Sequence, residues 1–365
     1  MLAAGTTFAG YVIERRLGRG GMGSVYLARD PGSAQRVALK LLNRELFADS
    51  RVRARFEREA DLVGRLRHRN IVASHGSGLE GDQLWIAMQY IDGADAGNLD
   101  TRTLPPQQAM RIVSETAAAL DFAHEMGVLH RDVKPANILL ARSATGPEPV
   151  FLTDFGIAKL RDDAGQLTET GAFTATLAFA SPEQLMGEQL DATADQYSLA
   201  CTLFWLLTGR SPFESTHASV LVQGHLQQPA PAISEVRWGL PTQLDAVLSR
   251  ALSKRPAERF RSCREFAHAA RLALEGGPGP VRTPVPGPAV QVGGRPMPPV
   301  NRAPTAAPHP PAAMTGHPGF AQPPAHPHPA PLREMNQSRS NAPLIAGLCI
   351  VAVLVLAAAA ILLLR

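Results

Sequence analysis

The sequence predicts an α+β chain built as two lobes, a small β-rich N-lobe over about 11–90 and a larger helical C-lobe over about 94–274, followed by a disordered linker at 275–343 and one transmembrane helix at 344–364. Three observations carry that reading. Up to residue 90, apolar residues alternate in short runs bounded by glycine and polar turns, as strands do. From Pro106 onward they recur at helical spacing. Beyond Glu275 the composition changes abruptly, first to proline and then to an uninterrupted apolar run. Residues 1–10 are a short lead.

The charge is unevenly spread. The net charge is +4, but residues 276–365 hold six arginines against one glutamate, which leaves the first 275 residues at −1. The basic excess therefore belongs to the tail and does not make a nucleic-acid face. Of 36 basic residues only Lys40, Lys134, Lys159 and Lys254 are lysines, so a lysine in a motif is a choice of chemistry. Cys201, Cys263 and Cys349 are too few and too scattered for a disulfide framework or a metal cluster, and they suit a reducing compartment.

Tyr11 to Leu17 reads as a strand. It is followed by glycines 18, 20 and 23 at G-x-G-x-x-G spacing, and Ser24-Val25-Tyr26-Leu27 then alternates like a second strand. Glycines between two strands let backbone fold over phosphates with no β-carbon in the way. A dinucleotide-binding loop has the same spacing but opens a helix. Val37-Ala38-Leu39-Lys40 is the next strand, and Lys40 can reach the phosphates beneath the loop. Residues 51–66 read as an amphipathic helix with Val52, Phe56, Ala60, Leu62, Val63 and Leu66 inward. Glu59 falls on that face and Glu57 on the opposite one. A carboxylate facing inward needs a partner, so Glu59 is expected to pair with Lys40. Leu84 to Met88 is a further strand, and Gln89 to Gly93 is the crossover, where backbone groups can meet an adenine edge and Met88 limits the depth of the pocket.

Pro106 to Gly127 bounds a helix with an inward stripe of Ile112, Val113, Thr116, Ala117 and Leu120. Next comes His130-Arg131-Asp132-Val133-Lys134-Pro135-Ala136-Asn137. Here Asp132 can take the proton of an attacking hydroxyl, Lys134 can neutralise charge on a transferred phosphate, and Asn137 can hold a metal through its oxygen. Asp154, in Asp154-Phe155-Gly156, ends the apolar run Val150-Phe151-Leu152 and is a second metal candidate. Residues 159–181 are polar and threonine-rich, the composition of a switch segment. Its candidate phosphorylation sites are Thr168 and Thr170, with Arg131 to receive the added charge. Asp195 to Leu207 is too short to span a bilayer and reads as a buried core helix. Asp195 would then be buried, with catalytic-loop amides as its donors. Arg259 is expected to pair with Glu183 as a structural tie.

Gly18-x-Gly20-x-x-Gly23-x-Val25, Val37-Ala38-Leu39-Lys40, Glu59, His130-Arg131-Asp132 with Lys134 and Asn137, Asp154-Phe155-Gly156 and Ser181-Pro182-Glu183 together resemble the protein-kinase set, in order, from residue 11 to about 274. The His-Arg-Asp-x-Lys-Pro-x-Asn loop resembles serine/threonine kinases, and Gly-Gly-Met-Gly with Ser-Pro-Glu resembles the bacterial Hanks-type group. The resemblance implies a bilobal protein-kinase fold, with ATP and Mg²⁺ (or Mn²⁺) as cofactors and protein serines and threonines as acceptors. It adds Leu17, Gly21, Val25, Ala38, Tyr90 and Leu139 to the ATP-binding residues and makes Thr176 a substrate-loop residue. Two positions depart from the family pattern: Ala175 stands where glycine is common, and Gln89 where a hinge glutamate is frequent.

The tail has eighteen prolines between Pro278 and Pro331 and no acidic residue before Glu334, a composition that cannot bury enough apolar surface to fold. It is a candidate docking linker for a partner. Leu344 to Leu364 is 21 residues without a charge, about 32 Å as a helix, which matches a bilayer core. Arg333 and Arg339 precede it and Arg365 follows, a bias that places the folded lobes in the cytoplasm at the inner (plasma) membrane, single-pass. Met1 to Tyr11 lacks the charged start and apolar run of a signal peptide. With no external sensor expected beyond the span, the signal is expected from the cytoplasm, the linker or self-association in the membrane.

Overall fold

The structure, a computed structural model, describes residues 2–20, 23–30, 32–44, 50–155 and 177–276. Gly21, Gly156, Thr168, Thr170, Ala175, Thr176, the linker and the apolar segment 344–364 lie outside the described residues. Among the described residues no helix is long and apolar enough to cross a membrane.

The first lobe is a six-stranded antiparallel sheet of β1 (Thr7–Phe8), β2 (Tyr11–Gly20), β3 (Gly23–Arg29), β4 (Arg36–Leu42), β5 (Ser74–Glu80) and β6 (Gln83–Gln89), in the order β1-β2-β3-β4-β6-β5. Strand alternation sorts its side chains. Ile13, Tyr26, Ala28, Val37, Leu39, Leu41 and Ala87 form the core of one face. Register places Gly18 opposite Val25, Val25 opposite Lys40 and Ala38 opposite Met88, so these side chains share the other face. Helix α1 (Ser50–Gly64) is sewn to the sheet by Phe56 and Ala60 against Leu42 and Leu84. Leu62, expected inward, is 45% exposed. Among the described side chains of α1, Phe56, Ala60 and Val63 make the contact with β4 and β6, a stripe that leaves Leu62 outside it.

The second lobe begins with a small antiparallel sheet of β7 (Gly93–Asp95), β8 (Ile138–Ala141) and β9 (Val150–Leu152). Its helices are α2 (Pro106–Glu125), α3 (Pro182–Met186), α4 (Ala192–Thr208), α5 (Ala218–Gln227), α6 (Ile233–Val236), α7 (Gln243–Ala251) and α8 (Cys263–Glu275). The stripe Ile112, Val113, Thr116, Ala117 and Leu120 on α2 is fully buried. Helix α4 is apolar nearly all round, as a helix must be when neighbours cover every side. It is capped by Asp191 and ends at Gly209, whose φ of 75° is the left-handed stop that glycine tolerates. Around it lies one continuous core drawn from α2, α4, α7, α8 and the small sheet.

Candidate active site

The loop between α2 and β8 carries His130 to Asn137, and the end of β9 carries Asp154. Asp132 is buried and sits at the centre of its own contacts. Lys134 Nζ lies 2.9 Å from Asp132 Oδ2. Asn137 Nδ2 donates to the Asp132 carbonyl at 2.7 Å and to Oδ2 at 3.0 Å. With its amide nitrogen spent on Asp132, Asn137 has its side-chain oxygen left to face a cation. His130 Nδ1 accepts the Asp132 amide at 3.2 Å and Nε2 donates to the Thr153 carbonyl at 2.9 Å, which fixes the tautomer of a neutral ring. Burial pushes the His130 pKa down, in keeping with that neutral state, although the nearby Asp195 charge and the Thr153 bond resist it. The His130 ring packs on Phe155 with centroids 4.7 Å apart.

Two residues here hold a left-handed backbone without being glycine: Arg131 at φ 63° and Asp154 at φ 59°. Such conformations cost on the order of 1–3 kcal/mol and persist only when their surroundings over-determine them. For Arg131 the restraints are clear. Its amide donates to Asp195 Oδ1 at 2.7 Å, its carbonyl accepts Gln184 Nε2 at 2.7 Å, and the next amide back, of His130, donates to Asp195 Oδ2 at 2.8 Å. Asp195 also meets His124 Nε2 at 2.8 Å. Burial alone would raise the Asp195 carboxyl, but the His124 bond, the neighbouring imidazoles and the amides hold it below the usual carboxylate range. Glu183 and Arg259 form a buried two-bond pair at 2.6 and 2.9 Å.

The first lobe meets this loop through Lys40, whose Nζ lies 2.6 Å from Asp154 Oδ1. The expected Lys40–Glu59 pair is not the one formed. Glu59 Oε1 instead stands 3.5 Å from the Arg131 guanidinium. Helical phase put Glu59 on the correct face, but phase says nothing about where α1 sits along the sheet, and in this position Arg131 is the nearer cation. Glycines 18 and 20 border open space, while a β-carbon on Gly23, at φ 147°, would lie 1.9 Å from the Leu41 carbonyl oxygen. That hairpin closes only with glycine. Val25, Ala38, Met88, Tyr90 and Leu139 are half-buried, and Leu17 is exposed at 36%. Gly18, Val25, Ala38, Lys40 and Met88 thus line one sheet face opposite Asp154. A glycine cradle without β-carbons, a lysine below it and two oxygen donors at Asn137 and Asp154 fit a nucleotide triphosphate with a hard divalent cation.

Sequence reasoning missed four contributors. Thr153 offers its carbonyl to His130 and its hydroxyl to Met88 Sδ at 3.9 Å. Gln184 ties α3 to the Arg131 carbonyl. His124 shares Asp195, and Asn70 joins Glu115 to the Val150 carbonyl through Nδ2 at 2.8 and 2.9 Å. Thr153 alone had a sequence signal, its place beside Asp154.

The family model described as "Protein kinase domain" matches residues 11–271. The chain is 52% identical over 279 residues to serine/threonine-protein kinase PknJ of Mycobacterium tuberculosis, across 76% of this chain and 47% of that one. It is 46% identical over 279 residues to serine/threonine-protein kinase PknF of the same organism, across 75% and 58%. The crystal structure of the M. tuberculosis PknI kinase domain superposes with a TM-score of 0.63 at 41% identity, covering 75% of this chain and 100% of that one. The chain spans about half the length of the curated relatives it matches.

Proposed function

The chain belongs to the protein kinase family, and from that premise we propose that it transfers the γ-phosphoryl group of ATP to serine and threonine hydroxyls of proteins. The observation that carries the reading is the buried Asp132 carboxylate, held between Lys134 and Asn137. Asp132 orients the acceptor hydroxyl and takes its proton as the oxygen attacks. Lys134 neutralises charge on the transferred group, and Lys40 holds the phosphates behind it. Asn137 and Asp154 would hold Mg²⁺ or Mn²⁺, the ion that neutralises phosphate charge in this family. Asp132→Asn should abolish label transfer to the protein itself and to a generic substrate while nucleotide binding survives. Undiminished transfer would refute the assignment.

The switch reading follows from the ion pairs. Turnover needs Glu59 beside Lys40. Phosphate on Thr168 or Thr170 would offer Arg131 a stronger anion than Glu59 and release Glu59 toward Lys40. The double variant Thr168→Ala, Thr170→Ala should therefore bind ATP yet phosphorylate a peptide at least about tenfold more slowly, one decade being about 1.4 kcal/mol of barrier. A peptide rate like that of the wild type would sink the switch. Thr176 would shape the substrate loop, and self-association would supply the activating phosphate. The apolar segment 344–364 would anchor the kinase to the inner face of the cell membrane as a single span, with the proline-rich linker between as a docking segment.

A further inference from the structure

The three cysteines do not meet one another in sequence, but the fold gives Cys263 different company. It opens α8, which packs on α2, and the last turns of α2 carry Asp121 and His124. One carboxylate oxygen, one imidazole nitrogen and Sγ of these three residues all lie within 4.8 Å of one another. Asp195 acts only as an acceptor toward the amides of His130 and Arg131, so at 2.8 Å it receives the Nε2 hydrogen of His124 as well. In that tautomer Nδ1 is the lone-pair nitrogen, and it faces Asp121 Oδ1 across 4.0 Å, too wide for a hydrogen bond. Two electron-rich atoms therefore face each other across a gap a few tenths of an ångström wider than the edge, roughly 3.3–3.6 Å, of a tetrahedral site with bonds of about 2.0–2.2 Å. The Asp121 carboxylate is itself pinned, Oδ1 by the Cys263 amide at 2.9 Å and Oδ2 by the Arg264 amide at 3.0 Å, and it also accepts the Cys263 thiol hydrogen, the proton that an ion would replace. A histidine backed by a carboxylate on its other nitrogen, beside a ligand fixed by backbone amides, is the supporting arrangement that orients metal ligands.

We propose that Asp121, His124 and Cys263 form a binding site for a borderline-soft divalent cation, with Zn²⁺ the best fit, through the carboxylate, Nδ1, Sγ and one water. On binding, the S–H bond of Cys263 breaks, its proton leaves to solvent and an S–metal bond forms. The dication then meets two anionic ligands and a neutral imidazole, so the assembled site carries no net charge, as burial demands. Thiolate and imidazole select against Mg²⁺, which keeps this site chemically apart from Asn137 and Asp154. The Asp121 and His124 side chains, each 10% exposed, give the ion an edge to enter by. Because Asp195 also holds the His130 and Arg131 amides, an ion bound to His124 acts on the catalytic loop through a shared carboxylate.

The test is a Co²⁺ titration of the full chain in detergent, read by the near-ultraviolet thiolate-to-cobalt absorption band. The linker histidines His309, His317, His326 and His328 also bind cobalt, but the sulfur band does not report them. We expect one saturable band that Zn²⁺ displaces, kept in Cys201→Ser and Cys349→Ser, abolished in Cys263→Ser, and weakened at least about tenfold in affinity in Asp121→Asn. No band in the wild type, or a band undiminished in Cys263→Ser, overturns the site. If Cys263→Ser fails to fold by circular dichroism, Asp121→Asn decides: it keeps the thiol, so unchanged cobalt affinity there is equally fatal.

Discussion

His225 is buried on α5 between the Tyr197 hydroxyl, 3.0 Å from Nδ1, and the Phe213 ring, and that burial makes the fold sensitive to acid. Burial first, and then the charge of Lys254, push it down to about 4. Unfolded, the same group titrates near 6.5. Above that value both states are neutral and its contribution to stability is complete. Between about 6.5 and 4 only the unfolded chain takes the proton, so stability falls as pH falls, by on the order of 3 kcal/mol at the lower end. Urea midpoints at pH 7 and pH 4.5 should diverge more for the wild type than for His225→Gln, and equal divergence would show that His225 is not the titrating group. Residues of this kind were silent in the sequence. Asp132, Asn137, Asp154 and Lys40 were legible because few other side chains can do their chemistry at those spacings. Thr153, Gln184 and His124 are ordinary polar residues whose meaning comes from partners 23, 53 and 71 residues away.

At the scale of elements, the five-residue helix α3 does more than its length suggests. Ser181 caps it, and Gln184 completes the box by accepting the Ser181 amide through Oε1 at 3.0 Å while its Nε2 donates to the Arg131 carbonyl. The two jobs are separable. Gln184→Ala should cost about 1 kcal/mol, a melting shift of roughly 2–4 °C in a domain of this size. Gln184→Glu keeps an acceptor for the Ser181 amide but has no hydrogen for the Arg131 carbonyl, so it should retain the cap and still transfer phosphate more slowly. Wild-type turnover in Gln184→Glu would mean that the Arg131 bond is not needed. The strands, α2 and α4 could be read from period and punctuation, since burial imposes the pattern directly. The Lys40 pairing could not, because it depends on the placement of α1 over the sheet and on no repeat within α1 itself.

Across the whole molecule, α8 ends at Glu275, and the sequence beyond it is proline-rich up to Pro331 and apolar from Leu344 to Leu364. If 344–364 is the anchor, the full chain should sediment with membranes, and removal of those residues should release an active kinase to the soluble fraction. Retention in the membrane pellet after that deletion would exclude it. Within the kinase fold, Arg131 and Asp154 keep left-handed backbones that glycine would adopt without strain. A protein selected for durability alone would put glycine at both positions, as β3 does at Gly23, and gain ruggedness. This chain instead keeps a side chain at each, one next to Asp132 and one paired with Lys40, which marks these two positions as the place where thermostabilising substitutions and working catalysis should part company.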